Sequence, residues 1–411
     1  MKITDVRTIL LTGPCTHDPW VTAIRKLRSA AFIEVHTDAG LIGIGETYTG
    51  YHAPEIVPAI VDFFKPILVG LGDDELDPRE LWKRMYHCGN FWARNGVGVN
   101  VLAGIEGALW DLKGKLEGRP VYELLGTRAV ERLPCYATGS ASSYPWSELL
   151  RKIDAYRAEG FRATKVAIGW FEQETRRSFQ TRDPQAWIDL ECEKLELIRQ
   201  HTGDDFTLAL DAHMSNDGVA DPADMWTVDS ASRVLKSLEP YNLLFFEEPL
   251  HYNDRDGYSQ LCRETSVPVA GGECLTTVQE FELFSRAKAL DIAQPDASYI
   301  GISAFLETAK LFAAQGKQVA THAWSSGAGV MMNIHAAFAC DNVATLEVPP
   351  LAGPLHTEVY ADGFRFENGD ILPPQAPGLG VQLTDALKAK FPFVPGSGEW
   401  NTVPGGKGLP R

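Results

Sequence analysis

Three acidic residues stand at equivalent places in three apolar runs of this sequence. Phe206-Thr-Leu-Ala-Leu leads to Asp211, Leu243-Leu-Phe-Phe leads to Glu247, and Val267-Pro-Val-Ala-Gly-Gly leads to Glu273. A short apolar run bounded by a breaker, as Pro249 bounds the middle one, reads as a strand buried on both faces. Each acid therefore ends a core strand, where a carboxylate costs several kcal/mol unless it is paired or metal-bound. Parallel neighbours would converge the three on one point, an oxygen-rich site for a hard divalent cation. A solvent-facing or ion-paired acid explains any one of them taken singly, but three in register on successive strands point to a shared ligand.

A second pair carries proton chemistry. His322 ends the run Lys317 to Ala323 and Asp296 ends Asp291 to Asp296, so neighbouring strand ends bring an imidazole and a carboxylate together. A carboxylate that accepts from one ring nitrogen fixes the tautomer and raises the basicity of the other, as a general base requires; a packed histidine beside a capping aspartate is the bland alternative. His213 points to the same side of its strand as Asp211. Lys165, in the run Arg162 to Ile168, can neutralise a carboxylate oxygen or serve as an ordinary salt-bridge partner. The segment from Trp170 to Pro184 is long for a strand-to-helix loop, and long loops in barrels are commonly lids or binding elements. Its Arg176, Arg177 and Arg182 suit the polar end of an acidic substrate, with bidentate geometry for a second carboxylate, or else a solvated insertion.

These residues need a scaffold, and the pattern supplies one. Residues 1 to about 50 alternate as a three-stranded meander, Lys2 to Thr12, Ala30 to Thr37 and Leu41 to Thr49, with Asp38-Ala39-Gly40 as a hairpin turn. Helical periods follow at Glu55 to Val69, Pro78 to His87 and through Val101, Ile105, Leu109, Leu112 and Leu116, ending at Gly118-Arg119-Pro120. From Leu133 strands and helices alternate: Leu133 to Tyr136, then the runs above, and Val343 to Val348, with helices such as Trp187 to His201 and Phe305 to Gln315 between. Eight strands close a barrel whose active site lies at the C-terminal strand ends. The expected fold is α/β: a (β/α)7-8 TIM-like barrel over 127–350, an α+β capping domain over 1–126, and a Pro- and Gly-rich tail, 351–411, that returns to the cap.

Composition bounds the partners. With 38 Lys+Arg against 54 Asp+Glu the net charge is −16, which disfavours nucleic acid and anionic membranes as partners. Seven scattered cysteines without a CxxC pair fit reduced thiols in a cytoplasmic protein. No apolar stretch suggests a signal peptide or a membrane span.

At the level of motifs the chain resembles the enolase superfamily, and within it the mandelate racemase-like acid-sugar dehydratases. The resemblance runs over essentially the whole length, from Gly104-Ile-Glu-Gly-Ala-Leu-Trp110 to Asp211, Glu247-Glu248-Pro249, Gly272-Glu273, Gln294-Pro295-Asp296 and Thr321-His322. It implies that Asp211, Glu247 and Glu273 bind Mg²⁺, the partner such sites set beside a Lys or His base. It implies that Glu347 hydrogen-bonds the substrate carboxylate and helps hold the enediolate, and that an N-terminal loop with His17, Trp20 and Arg25, together with Trp324, sets specificity. Many relatives carry Lys-x-Lys where this chain has Lys165-Val-Ala167; the missing second lysine points to a base on one substrate face only. A histidine at position 213 occurs in mannonate dehydratase-like members, where it protonates the leaving hydroxyl or orients substrate. The implied reaction is α-proton abstraction from an aldonate or aldarate by His322, followed by loss of the β-hydroxyl as water to give a 2-keto-3-deoxy acid. An epimerase, racemase or cycloisomerase is the rival enzyme, and a catalytically silent binding barrel is the rival of a different class. A homo-oligomer, from dimer to octamer, is expected.

Overall fold

The computed structural model describes residues 1–21, 26–126, 130–139, 141–214, 225–361 and 363–396. The meander is an antiparallel sheet of Ile3–Pro14, Leu27–Thr37 and Ile42–Thr47 in chain order, turned between its last two strands by Gly40 at φ +77°. Its third strand meets the helix Val97–Glu117 at backbone distance: a Cβ on Gly43 would lie 2.1 Å from the Ala108 carbonyl oxygen, and one on Gly45 would lie 2.2 Å from that of Gly104. The helix is buried on nearly every side because Met332 of the barrel presses on Gly107 from the far side. Gly118 ends it in the left-handed conformation, φ +67°.

Eight parallel strands follow: Leu133–Thr138, Ala163–Ala167, Thr207–Asp211, Phe246–Glu247, Val269–Gly271, Ile292–Ala293, Gln318–Ala320 and Val343–Val348. Each pairs with the next, and the eighth pairs with the first through Leu346↔Cys135, Glu347↔Tyr136 and Val348↔Ala137, which closes the barrel. The fourth and sixth strands are much shorter than their apolar runs. Regular strand gives way where the chain leaves the extended region, at Glu248 with φ +47° after the fourth strand and at Gly272 with φ +120° after the fifth, although the Glu248 N–H still bonds the Ala270 carbonyl at 3.0 Å. Those turns aim the strand-end side chains at the mouth.

Most helices between the strands carry their own caps. Asp183, Thr227, Asp254 and Thr277 accept from the backbone of Gln185, Ser230, Gly257 and Glu280 at the starts of Pro184–Thr202, Val228–Leu238, Arg255–Glu264 and Val278–Ala287. The tail touches both parts: Asp370–Ile371 pairs antiparallel with Leu133 and Pro134, the Phe391 carbonyl accepts from the Thr12 N–H at 3.2 Å, and Lys388 meets Glu34 at 2.6 Å. None of the seven cysteines is in a disulfide. Among the described residues no helix is long and apolar enough to cross a membrane.

His335, on the helix Gly327–Phe338, is fully buried, and its Nδ1 accepts from the Tyr122 N–H at 3.1 Å. Protonation would set that nitrogen against a donor, and burial pushes the imidazole down from 6.5 to about 3. A depressed folded pKa contributes stability that is complete above about 6.5 and drains away as the pH falls toward about 3. Thermal melts from pH 8 to pH 4.5 should show a steeper acid decline for the wild type than for His335→Gln, whose amide oxygen still accepts from Tyr122; parallel declines would show that His335 titrates without cost.

Candidate active site

The barrel interior is closed by a layer of Tyr136, Ala163, Ala209, Phe245, Ala270, Ile292 and Ala320. Alternation puts the residue two places further along each strand on the same face, so the next layer toward the mouth holds Thr138, Lys165, Asp211, Glu247, Gly272, Gln294 and His322. Small residues below and polar ones above make a packed floor under a polar cup. The floor is filled by Tyr136 and Phe245, whose rings meet edge to face with centroids 5.7 Å apart.

Lys165 is the electrostatic centre of the cup. Its Nζ lies 2.7 Å from Glu247 Oε1, 3.0 Å from Asp211 Oδ2 and 3.4 Å from Glu347 Oε1. Burial pulls the ammonium down, but Asp211, Glu247 and Glu347 outweigh it and hold it well above its ordinary value. Glu247 also accepts from Gln294 Nε2 at 2.6 Å, yet burial and then Asp211 push its carboxyl up to about 8. Asp211 moves the other way: burial raises it, and His213 and Lys165 together pull it below the usual carboxylate range. His213 Nδ1 lies 3.0 Å from Asp211 Oδ1, with the residue held in the left-handed conformation at φ +51°.

Across the mouth, His322 Nδ1 meets Asp296 Oδ2 at 2.9 Å, while Nε2 stands 3.7 Å from Glu273 Oε2. The other oxygen of Asp296 takes three donors, the Ser298 N–H at 2.8 Å, the Ser298 hydroxyl at 2.7 Å and Asn333 Nδ2 at 2.8 Å. The carboxylate therefore cannot turn, and Oδ2 is left to His322. Burial opposes charge on the imidazole, but Glu273, Asp296 and Glu347 overcome it and push His322 up to about 10. Tyr48 of the N-terminal domain packs edge-on against the imidazole with ring centroids 5.4 Å apart. Glu347 accepts from the Ala323 N–H at 2.5 Å, and burial, which would raise its carboxyl, is outweighed by Lys165 and His322.

The acids here outnumber the cations beside them. Glu248 is buried with Oε2 unpartnered, and burial, then Glu273 and Asp211, hold it far above the usual carboxylate range. Among the described residues, the ligand atoms that lie within 4.8 Å of one another belong to Glu248, Glu273 and Cys274. Burial raises the Cys274 thiol well above its ordinary value, so it offers no thiolate. Asp211 and Glu247 are paired neighbours in the sheet and share Lys165, while Glu273 leans toward His322. Asp211, Glu247 and Glu273 are not such a group of three by that distance, but they and the orphaned Glu248 oxygen are all carboxylates, the donor type that fits a hard divalent ion.

Asp211, Glu247, Glu273, Asp296, His322, Glu347, Lys165 and His213 all meet in this one cup. Trp324 follows on the loop after His322 and donates from its indole to the Tyr51 hydroxyl at 3.1 Å. Trp20 is half-buried and donates to Glu148 at 2.9 Å. His17 is exposed and lines an outer groove with Phe161, Phe364 and Phe366. Arg176, Arg177 and Arg182 are exposed; the first two belong to the small hairpin of Phe171–Glu172 and Arg177–Ser178, where Arg177 lies over the Trp170 ring. The structure does not bring these three, or His17, to the acids. Arg25 lies outside the described residues.

Gln294, Glu248, Asn333, Ser298 and Tyr48 are members that sequence reasoning gave no role. Gln294 was readable from strand parity, since it shares a face with Ile292. Asn333 sits on a helix 37 residues beyond its partner, and nothing in the local sequence signals that contact.

Comparison with known proteins places this arrangement. The mandelate racemase / muconate lactonizing enzyme N-terminal domain model matches residues 5–126, and the enolase C-terminal domain-like model matches 148–387. The arabinonate dehydratase of Saccharolobus solfataricus is 29% identical over 361 residues, 87% of this chain and 89% of that protein. The 3,6-anhydro-alpha-L-galactonate cycloisomerase of Streptomyces coelicolor is 28% identical over 353 residues, 85% and 88% of the two chains. A crystal structure of L-talarate dehydratase from Polaromonas sp. JS666, complexed with Mg and L-glucarate, superposes with a TM-score of 0.78 at 25% identity, covering 95% of this chain and 98% of that one. A closed eight-stranded barrel, a carboxylate cup at its C-terminal end and a family match over more than half the chain agree: this protein belongs to the enolase superfamily, in its mandelate racemase / muconate lactonizing enzyme group.

Proposed function

We propose that the protein is a Mg²⁺-dependent hydro-lyase that dehydrates a sugar acid, an aldonate or aldarate, to a 2-keto-3-deoxy acid. The observation that carries the reading is the His322–Asp296 pair set across one cup from Lys165 and the strand-end acids. Asp211, Glu247 and Glu273 would hold the cation, which supplies positive charge where negative charge develops on the substrate carboxylate as the α-proton leaves. Lys165 and Glu347 flank that carboxylate. Asp296 keeps the Nδ1 proton of His322 in place, and a cation held by Glu273 would offset the carboxylate that most raises the imidazole, so that Nε2 would be free to accept the α-proton. The C–H electron pair becomes the double bond of an enediolate, which then expels the β-hydroxyl. His213 would give the departing oxygen its proton or orient the substrate, and the enol relaxes to the ketone. The reading takes 1–126 as cap, 127–350 as barrel and 351–411 as the segment that completes the cap, in a cytoplasmic homo-oligomer.

The likeness to a cycloisomerase keeps a second reading in view, in which the same enediolate loses a ring oxygen instead of a hydroxyl. A screen of sugar acids and anhydro sugar acids with Mg²⁺, detecting 2-keto-3-deoxy products with semicarbazide, separates the two.

Glu247→Gln should lose turnover and bound metal together, read by product formation and by metal analysis after gel filtration; full activity in excess EDTA would sink the metal assignment. His322→Asn should stop both elimination and exchange of the substrate α-proton with D₂O, and Asp296→Asn should lose about 10²–10⁴-fold, as expected when a general base loses its support. Exchange at the wild-type rate in His322→Asn would move the base to Lys165 or His213. Because Ala167 leaves the opposite face without a lysine, the enzyme should act on one α-configuration only. Each C2 epimer incubated separately in D₂O and followed by NMR checks this, and interconversion as fast as dehydration would favour an epimerase.

A further inference from the structure

We infer that Glu46, a residue of the N-terminal domain, is a positioning residue for the His322–Asp296 pair, acting by supplying the missing N-cap of the helix Gly327–Phe338. Most barrel helices begin on a local Asp or Thr whose side chain accepts from their own first turn. This helix begins on Ser326, which makes no such bond. A carboxylate some 280 residues away does it instead. Glu46 Oε1 accepts from the Ser326 N–H at 2.8 Å and from the Ser326 hydroxyl at 2.7 Å, and Oε2 accepts from the Gly329 N–H at 2.8 Å. One buried carboxyl group thus satisfies first-turn donors at the positive end of the helix dipole. Gly329 has no room to shift: a Cβ there would lie 2.0 Å from Ser325 Oγ.

The same helix carries Asn333, one turn further on. Asn333 Nδ2 donates to Asp296 Oδ1 at 2.8 Å, and its Oδ1 accepts from the Ala297 N–H at 2.8 Å. Every member of this line, Glu46, Ser326, Asn333 and Asp296, is at most 2% exposed, so no water can take over a lost bond. The N-terminal domain reaches the same place a second way, through the Tyr48 N–H on the Ser298 carbonyl at 3.0 Å, and Ser298 is the other residue that fixes Asp296. Seating of the N-terminal domain and the aim of the imidazole are therefore one structural event.

The inference rests on the proposed dehydratase reading for its kinetic arm and stands apart from it in its structural arm. Glu46→Gln puts an amide donor against backbone donors at nearly constant volume. It should lower kcat by about 10–100-fold, the scale of a small misplacement of reacting groups, with KM and metal content held within about threefold. Adding Ser326→Asp gives the helix a local anionic cap and should return kcat to within about threefold of wild type. Hydrogen exchange of peptides over 326–338 should rise in Glu46→Gln and fall back in the double variant. A wild-type kcat in Glu46→Gln, or a lost kcat that Ser326→Asp fails to restore, overturns the inference. If Glu46→Gln does not fold, the double variant alone decides: it must fold and turn over. If the wild type dehydrates no sugar acid, the dehydratase reading falls by itself, and unchanged exchange over 326–338 in Glu46→Gln still refutes the role of Glu46.

Discussion

The constraint on which this structure depends is the repulsion of buried acids. Asp211, Glu247, Glu248 and Glu347 are at most 2% exposed, and two like charges about 4 Å apart repel by about 4 kcal/mol even at an effective dielectric near 20. No flexible surface would hold them together. A closed barrel does, because each acid sits on a strand whose neighbours fix its height and direction, and one ammonium, Lys165, is shared by three of them. Hydrophobic replacement of a buried charged set is often neutral or stabilising, since buried ion pairs seldom repay their desolvation. Removing Lys165 alone would leave the acids uncompensated. Such an arrangement is explicable as a receptacle for charge brought by a ligand and not as a stabilising device.

Proton chemistry adds a demand for aim. A base works only if its lone pair points at the proton, and an imidazole is free to rotate unless its second nitrogen is held. Asp296 holds it, and is held by Ser298 and Asn333 in turn. Each step outward reaches an element further away in sequence: from a strand end to the next strand, then to a helix, then to the N-terminal domain. The three-stranded sheet with its helix and the barrel meet along this line.

What the sequence could disclose follows from the range of each interaction. Strand parity is local, so it puts Lys165 with Ala167 and Asp211 with His213 on one side of their strands, and three strand-end acids imply a common point. The same parity would have added Gln294. Regular strand covers only Phe246–Glu247 and Ile292–Ala293 of the runs Leu243–Glu248 and Asp291–Asp296, while single inter-strand bonds continue beyond them, from the Leu244 N–H to the Leu208 carbonyl, from Glu248 to Ala270 and from Gln294 to Gly271. The contacts of Glu46 and Asn333 were illegible. A mid-chain Asn or Glu carries no local mark of a partner tens or hundreds of residues away, and only the assembled fold creates it.

The arginine-rich segment shows what composition leaves open about loops. Charge and length suit Arg176 and Arg177 either to a binding arm or to a solvated insertion. In the fold, the residue that matters in this hairpin is Gln173, whose amide donates to the backbone carbonyls of Trp20 and Val21. Asp18 is pinned beneath by the Tyr156 hydroxyl at 2.7 Å and Trp20 by Glu148 at 2.9 Å. The hairpin after the second barrel strand is thus a strut for the N-terminal loop, and the exposed arginines are the solvated outer edge of that strut. One loop props the other through backbone carbonyls, so a substitution at Trp20 or Val21 that keeps the backbone in place keeps the contact, whereas loss of the Gln173 amide removes it.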